Sequence, residues 1–229
     1  MIKDNVVKIQ NDIATACRAA GRRPDEVTLV AVTKFAPVEA IAEAIAAGVQ
    51  HIAENRVQEA EKKFPDLIAQ YPNLTTHIIG HVQTNKAKDA VAAAGIIQSV
   101  DSARLADEIE KHAAKSGKNA QILVQFNTAQ EPQKFGAASS DALGLIEHMA
   151  TLAHVHVLGL MAMAPFTEDE GIIRKAFSDL RGLRDTIHKR FAETANIKMK
   201  YLSMGMSSDY RIAIEEGSNM VRVGSAIFK

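Results

Sequence analysis

The chain has 229 residues, 47% hydrophobic and 24% charged, the proportions of an ordinary soluble globular protein. Its 27 basic and 27 acidic residues cancel, so the basic excess of a nucleic-acid binder is missing, and a single cysteine, Cys17, excludes an internal disulfide and suits a reducing compartment. Lys3, Asp4, Lys8, Asp12 and Arg18 rule out a signal peptide or membrane span at the start, no apolar run elsewhere nears membrane length, and a cytoplasmic protein with no nucleic-acid or membrane partner is expected.

Val6, Ile9, Ile13, Ala16 and Ala20 recur at helical spacing and predict a helix over 2–20, ended by Gly21. Arg22, Arg23 and Pro24 make a short loop. VTLVAVT at 27–33 is a continuous apolar, β-branched run, the pattern of a strand buried on both faces. Pro37 then stands where a helix begins, 37–47 is Ala-rich, and Gly48 is a natural stop. HIAE at 51–54 reads as a strand, and a charged helix follows over 56–63, broken near Pro65. HIIGHV at 77–82 is the next strand, 85–94 the next helix, and IIQSV at 96–100 the strand after it. Ser102 caps a helix running to 115. QILVQFN at 121–127 is a strand, a polar loop covers 128–138, and a helix covers 140–152. VHVLGLMAM at 155–163 is a strand, and 168–193 is the longest helix. YLSMG at 201–205, a helix at 208–216 and the strand MVRVGSAIF at 220–228 complete the order.

Strict alternation of strand and helix predicts a parallel sheet with right-handed crossovers. Eight repeats allow closure into a (β/α)8 TIM barrel. The first turn, KFAP, has none of the glycines that open a doubly wound nucleotide fold. After the eighth strand only Lys229 remains, so no helix is expected to follow it. The extra N-terminal helix would fill that gap in the outer ring. With no linker or composition shift, a single domain over 1–229 is expected.

Barrel sites lie at the C-terminal ends of the strands. Lys34 ends an apolar strand, and a partly desolvated lysine there has an amine able to attack a carbonyl. Taken alone, it reads equally as a lysine that snorkels out of the mouth. SMGMSSD at 203–209 offers a glycine for close backbone approach, the Ser207 hydroxyl and the start of a helix, and Gly224-Ser225 offers the same chemistry one strand on. Two such turns at adjacent strand ends favour an anion, and in a closed barrel strand eight neighbours strand one. Arg222 shares a face with Gly224. It could bind a phosphate, meet a pyridine nitrogen, or sit in a rim salt bridge. His154 and His156 have no partner at metal spacing, and no metal is expected. Met161, Met163, Met204 and Met206 read as core filler, Cys17 as a small buried hydrophobe, and Lys86 and Lys88 as a solvated face.

VAVTK at 30–34, HIIGHVQTNK at 77–86 and LSMGMSSDYRIAIEEGSNMVRVGSAIF at 202–228 resemble the pyridoxal phosphate homeostasis proteins, with AENRVQEA at 53–60 and GLMAM at 159–163 as further blocks. That family is similar in fold to the N-terminal barrel domain of alanine racemases. The resemblance implies pyridoxal 5'-phosphate held by Lys34 as a Schiff base. It implies Ser207, Gly224 and Ser225 at the phosphate, Arg222 facing the pyridine nitrogen and Asn55 near the ring. It leaves the roles of Arg56 and His81 at the rim open. It further implies buffering or delivery of the cofactor, with pyridoxal-phosphate-dependent apoenzymes as possible partners, and no established catalysis.

Three functions fit a lysine beside a phosphate site: a cofactor carrier, an amino-acid racemase-like enzyme, and a Schiff-base aldolase. The family blocks argue against the aldolase. A racemase of this barrel type needs a second domain and a tyrosine base, and none of Tyr71, Tyr201 and Tyr210 stands in an opposing position. No catalytic residue is therefore assigned, and a monomer is expected ahead of a dimer.

Overall fold

The computed structural model describes residues 1–128 and 135–229, so the polar loop expected over 128–138 lies for the most part outside the described residues. Eight parallel strands close into a barrel in chain order. They are β1 (Thr28–Val32), β2 (His51–Glu54), β3 (Thr75–Ile78), β4 (Ile96–Val100), β5 (Ala120–Gln125), β6 (Val155–Met161), β7 (Ile197–Ser203) and β8 (Met220–Val223). Closure sets Val30 of β1 beside His51 on one side and Arg222 on the other. The helices between them are α2 (Val38–Ala46), α3 (Val57–Gln70), α4 (Ala87–Ala93), α5 (Ala103–Lys115), α6 (Ala142–Ala150), α7 (Glu170–Arg190) and α8 (Tyr210–Glu215).

Side chains alternate across each strand, so one parity packs on the helices and the other meets inside the barrel. The outer layer is the large apolar core. The inner one is a small cluster of Val30, Ala53, Ile96, Leu123, Met161 and Met220. Ser102 caps α5 by accepting from the Leu105 amide, as its sequence position predicts.

Four boundaries differ from the sequence expectations. The charged helix does not break at Pro65: α3 runs through it because Phe64 and Leu67, on either side, are fully buried. β3 starts earlier and stops at Ile78. At Gly80 the chain passes so close to β2 that a Cβ would lie 2.0 Å from the Asn55 carbonyl oxygen. β7 begins at Ile197, with exposed Lys198 and Lys200 alternating with buried Ile197 and Met199. Last, β8 ends at Val223 and a short helix follows it after all, α9 (Ser225–Phe228).

The N-terminal helix, α1 (Ile2–Ala19), packs against α8, α9 and α2 and completes the ring. Asn5 Nδ2 donates to the Ile227 carbonyl at 2.9 Å. Just past α1, Arg22 donates to the Ile214 and Ser218 carbonyls at 2.8 and 2.7 Å, satisfying the end of α8. No helix among the described residues is long and apolar enough to cross a membrane.

Candidate functional site

Lys34 leaves β1 in a tight turn closed by the Ala36 amide donating to the Thr33 carbonyl at 3.0 Å. Phe35, the third residue of that turn, has φ +66° and is fully exposed. A left-handed residue is required there in a type II turn, and a phenylalanine meets the requirement at a steric cost. Lys34 is exposed rather than partly desolvated, and among the described residues its amine has no partner. The turn stands on a buried brace. Thr33 Oγ1 donates to Glu54 Oε1 at 2.7 Å, and Lys63 Nζ reaches the same oxygen at 2.8 Å and the Thr33 carbonyl at 3.2 Å. Glu54, 1% exposed, is thus neutralised by a lysine from α3. Removing either ion would strand the other.

Across the β1–β8 seam lies the second part of the site. A Cβ on Gly224 would come within 3.1 Å of the Val32 carbonyl oxygen, so β8 leaves the barrel directly against the strand that carries Lys34. The amides of Gly224, Ser225 and Ala226 donate to no acceptor among the described residues, and neither does the Ser207 amide. The hydroxyls of Ser207 and Ser225 are likewise unspent. Successive free amides of this kind form an anion-binding concavity. The Arg222 amide donates to the Gly205 carbonyl at 3.0 Å and ties the 205–209 turn to β8. Asp209 Oδ1 accepts from the Met206 amide at 2.5 Å and closes the turn. Burial pushes the Asp209 carboxyl up, while the Met206 amide and the nearby Arg222 draw it back. Gly205 does not serve as an approach for an anion. Its φ is +96°, and a Cβ there would meet Ala213 of α8 at 2.6 Å, so the glycine lets the turn pack on its own helix.

Arg222 points into the barrel. It is 3% exposed, and NH1 donates to Ser203 Oγ at 2.7 Å and NH2 to the Ala162 carbonyl at 2.9 Å. This excludes the rim salt bridge and leaves the guanidinium at the floor of the mouth. Burial pushes it down to about 10, so it stays protonated at neutral pH. Asn55 follows β2 and is half-buried, with its carbonyl against Gly80. The seam therefore joins Lys34, Gly224 and Ser225, with Ser207 one strand further and Arg222 beneath, while Asn55 stands on the far side of Lys34. An amine, a set of free amides and hydroxyls, and a buried cation suit a phosphorylated aldehyde, so the residues present fit pyridoxal 5'-phosphate.

The sequence reading did not select Thr33, Glu54 and Lys63, nor the interior polar residues Ser203, Gln98 and His77. Ser203, Gln98 and His77 sit on strands at positions whose parity points into the barrel, which is the signal that could have found them, whereas Thr33 and Glu54 share the outward parity of Ala31 and Ile52 and meet Lys63 there. Of the other candidates, His81 stacks on Phe135 with ring centroids 4.1 Å apart and lies 3.5 Å from Asp101. His154 Nδ1 meets Glu110 of α5 at 2.8 Å. No group of three or more His, Cys, Asp or Glu side chains at metal-binding proximity occurs among the described residues. Cys17 is buried, and burial pushes its thiol up. Tyr210 donates to Asp12 on the outside of the barrel at 3.2 Å.

The family model described as the N-terminal domain of alanine racemase matches residues 5–229. A pyridoxal phosphate homeostasis protein of Aquifex aeolicus is 36% identical over 225 residues, covering 98% of this chain and 96% of the relative. PipY of Synechococcus elongatus, solved with PLP bound, superposes with a TM-score of 0.86 at 31% identity, each chain fully covered. An alanine racemase of Clostridium difficile shares the fold at a TM-score of 0.77 and 16% identity, with 98% of this chain and 56% of the racemase covered.

Proposed function

The chain belongs to the family of pyridoxal phosphate homeostasis proteins, and from that premise we propose that it holds pyridoxal 5'-phosphate at the barrel mouth to buffer or deliver it. One observation carries the reading. A lysine amine and three successive amides, none with a partner among the described residues, lie at the adjacent ends of β1 and β8. When bound, the cofactor supplies an aldehyde that an amine can capture and a phosphate that free N–H groups can hold. In this assignment Lys34 holds the aldehyde, Ser207, Gly224 and Ser225 hold the phosphate, Arg222 faces the pyridine nitrogen and Asn55 borders the ring. Arg222 keeps its own proton, so the pyridine nitrogen stays unprotonated and the ring is a poor electron sink. That supports holding the cofactor over turning it over. Tyr210, committed to Asp12 outside the barrel, offers no base to a racemase-like alternative. We extend the proposal to a single-domain, cytoplasmic monomer that hands the cofactor to apoenzymes dependent on it.

The purified protein should be yellow, and borohydride should fix the cofactor onto Lys34. Lys34→Ala should lose the visible absorbance while still retaining some cofactor through the phosphate contacts. A colourless wild-type protein unable to take up pyridoxal 5'-phosphate would sink the reading. Steady racemisation or decarboxylation of an amino acid, abolished by Lys34→Ala, would overturn its non-catalytic half.

A further inference from the structure

Polar groups inside the barrel form a line. Arg222 NH1 donates to Ser203 Oγ at 2.7 Å, and Ser203 Oγ donates to Gln98 Oε1 at 2.7 Å. Gln98 Nε2 stands 2.9 Å from His77 Nδ1, and His77 Nε2 stands 3.0 Å from His51 Nδ1. Ser203, Gln98 and His77 are all fully buried. The line starts at the floor of the mouth and ends at His51, the first residue of β2, half-buried at the opposite end of the barrel.

Its direction follows from one end. A guanidinium only donates. Ser203 must accept from it, which leaves the single hydroxyl proton for Gln98 Oε1. That fixes the Gln98 amide with Nε2 toward His77, so His77 Nδ1 must accept. The His77 proton then lies on Nε2 and is given to His51 Nδ1. Gln98 presents an acceptor to Ser203 and a donor to His77 from separate atoms whose chemistry is fixed, whereas an imidazole can exchange the two roles by moving its proton. It cannot reverse without leaving Ser203 and His77 mismatched. The charged and titratable groups facing the line agree with neutral imidazoles: Arg222 and His51 press on His77, and Lys200 presses on His51.

We propose that Gln98 is a positioning residue that polarises a one-way hydrogen-bond chain through the barrel and thereby locks Arg222 in place beneath the mouth. Two of the guanidinium's N–H groups are spent on Ser203 and the Ala162 carbonyl, and the others meet no acceptor among the described residues. The chain holds those remaining donors still for a ligand. Its relevance to the cofactor rests on the reading above, whereas the chain itself does not.

Nitrogen-detected NMR of the cofactor-free protein tests it. Wild type should show both His77 and His51 as Nε2–H tautomers and an Arg222 side-chain N–H protected from solvent exchange. Gln98→Leu removes both contacts and should speed exchange of the Arg222 N–H by about tenfold or more. Gln98→Glu keeps an acceptor facing Ser203, so it should preserve that protection while moving a proton onto His77 Nδ1. Ser203→Ala should match Gln98→Leu at Arg222 and serves if Gln98→Leu does not fold. In protein loaded with pyridoxal 5'-phosphate, Gln98→Leu should also shift the visible band. A wild-type His77 carrying its proton on Nδ1, or Arg222 exchange unchanged in both Gln98→Leu and Ser203→Ala, overturns the proposal. A wild type that takes up no cofactor removes the proposed function and leaves the tautomer and exchange readings to decide the chain.

Discussion

Burial holds the His77 imidazole down to about 3, with His51 and Arg222 adding to the effect. In the unfolded chain it returns to about 6.5. Below about 6.5 the unfolded chain therefore takes up a proton that the native chain refuses, and stability falls with pH. The contribution is fully present above about 6.5 and drains away toward about 3. By pH 5 the loss amounts to about 2 kcal/mol from His77 alone. His51 is shifted the same way, first by burial and then by Lys200, so it adds with the same sign. Urea midpoints measured at about pH 7.5 and about pH 5 should show this loss, and His77→Asn should show a smaller one. An equal fall in the variant would remove His77 from the explanation. Lys34, Arg222 and the 224–225 turn were legible in the sequence because each interrupts or ends an apolar strand. The inward roles of His77 and Gln98 were not, and Ser203 was legible only as part of the 203–209 turn. Each sits within an otherwise unremarkable strand, and only closure of the barrel shows that their side chains converge.

At the scale of elements, α3 shows where local rules yield. A proline inside a helix costs about 3 kcal/mol through its lost N–H and its clash with the carbonyl four residues back. The burial of Phe64 and Leu67 outweighs that cost, and Lys63 of the same helix is anchored on Glu54. Pro65 itself is exposed. Pro65→Ala should therefore restore a helix bond without touching the core. Set against the entropy that proline removes from the unfolded chain, about 1 kcal/mol, the net gain is about 2 kcal/mol in a denaturant titration. A destabilised variant would mean that the helix depends on the proline. The same competition explains the strand ends. MVRVGSAIF reads as one strand because its residues favour strands throughout, yet pairing with β1 runs out at Val223, and the rest coils to pack on α1. The sequence hides the first half of β7 because exposed Lys198 and Lys200 alternate there with buried Ile197 and Met199.

For the molecule as a whole, the order and number of strands were readable, since eight strand–helix alternations permit few other closures. What the periodicity did not give is how α1 is fastened. Arg22 reads in the sequence as part of a loop, but it clamps the Ile214 carbonyl of α8 and the Ser218 carbonyl just after it. α8 follows the 205–209 turn, so the clamp lies one helix away from the proposed phosphate contacts. A bond from a charged donor contributes about 1.5–3 kcal/mol. Arg22→Ala should lower stability by about 2 kcal/mol and weaken retention of pyridoxal 5'-phosphate, read by equilibrium dialysis alongside urea unfolding. Unchanged retention at reduced stability would show that the turn is held by Asp209 and Arg222 alone.

The interior line of Ser203 and Gln98 has one more consequence. Both side chains are fully buried, so their protons cannot trade with water while the barrel is closed. Protein refolded in heavy water and returned to ordinary water would keep deuterium at these positions until the eight strands next part. The isotope content of this small interior would then record elapsed time since the last complete opening, a memory that the surface could not hold.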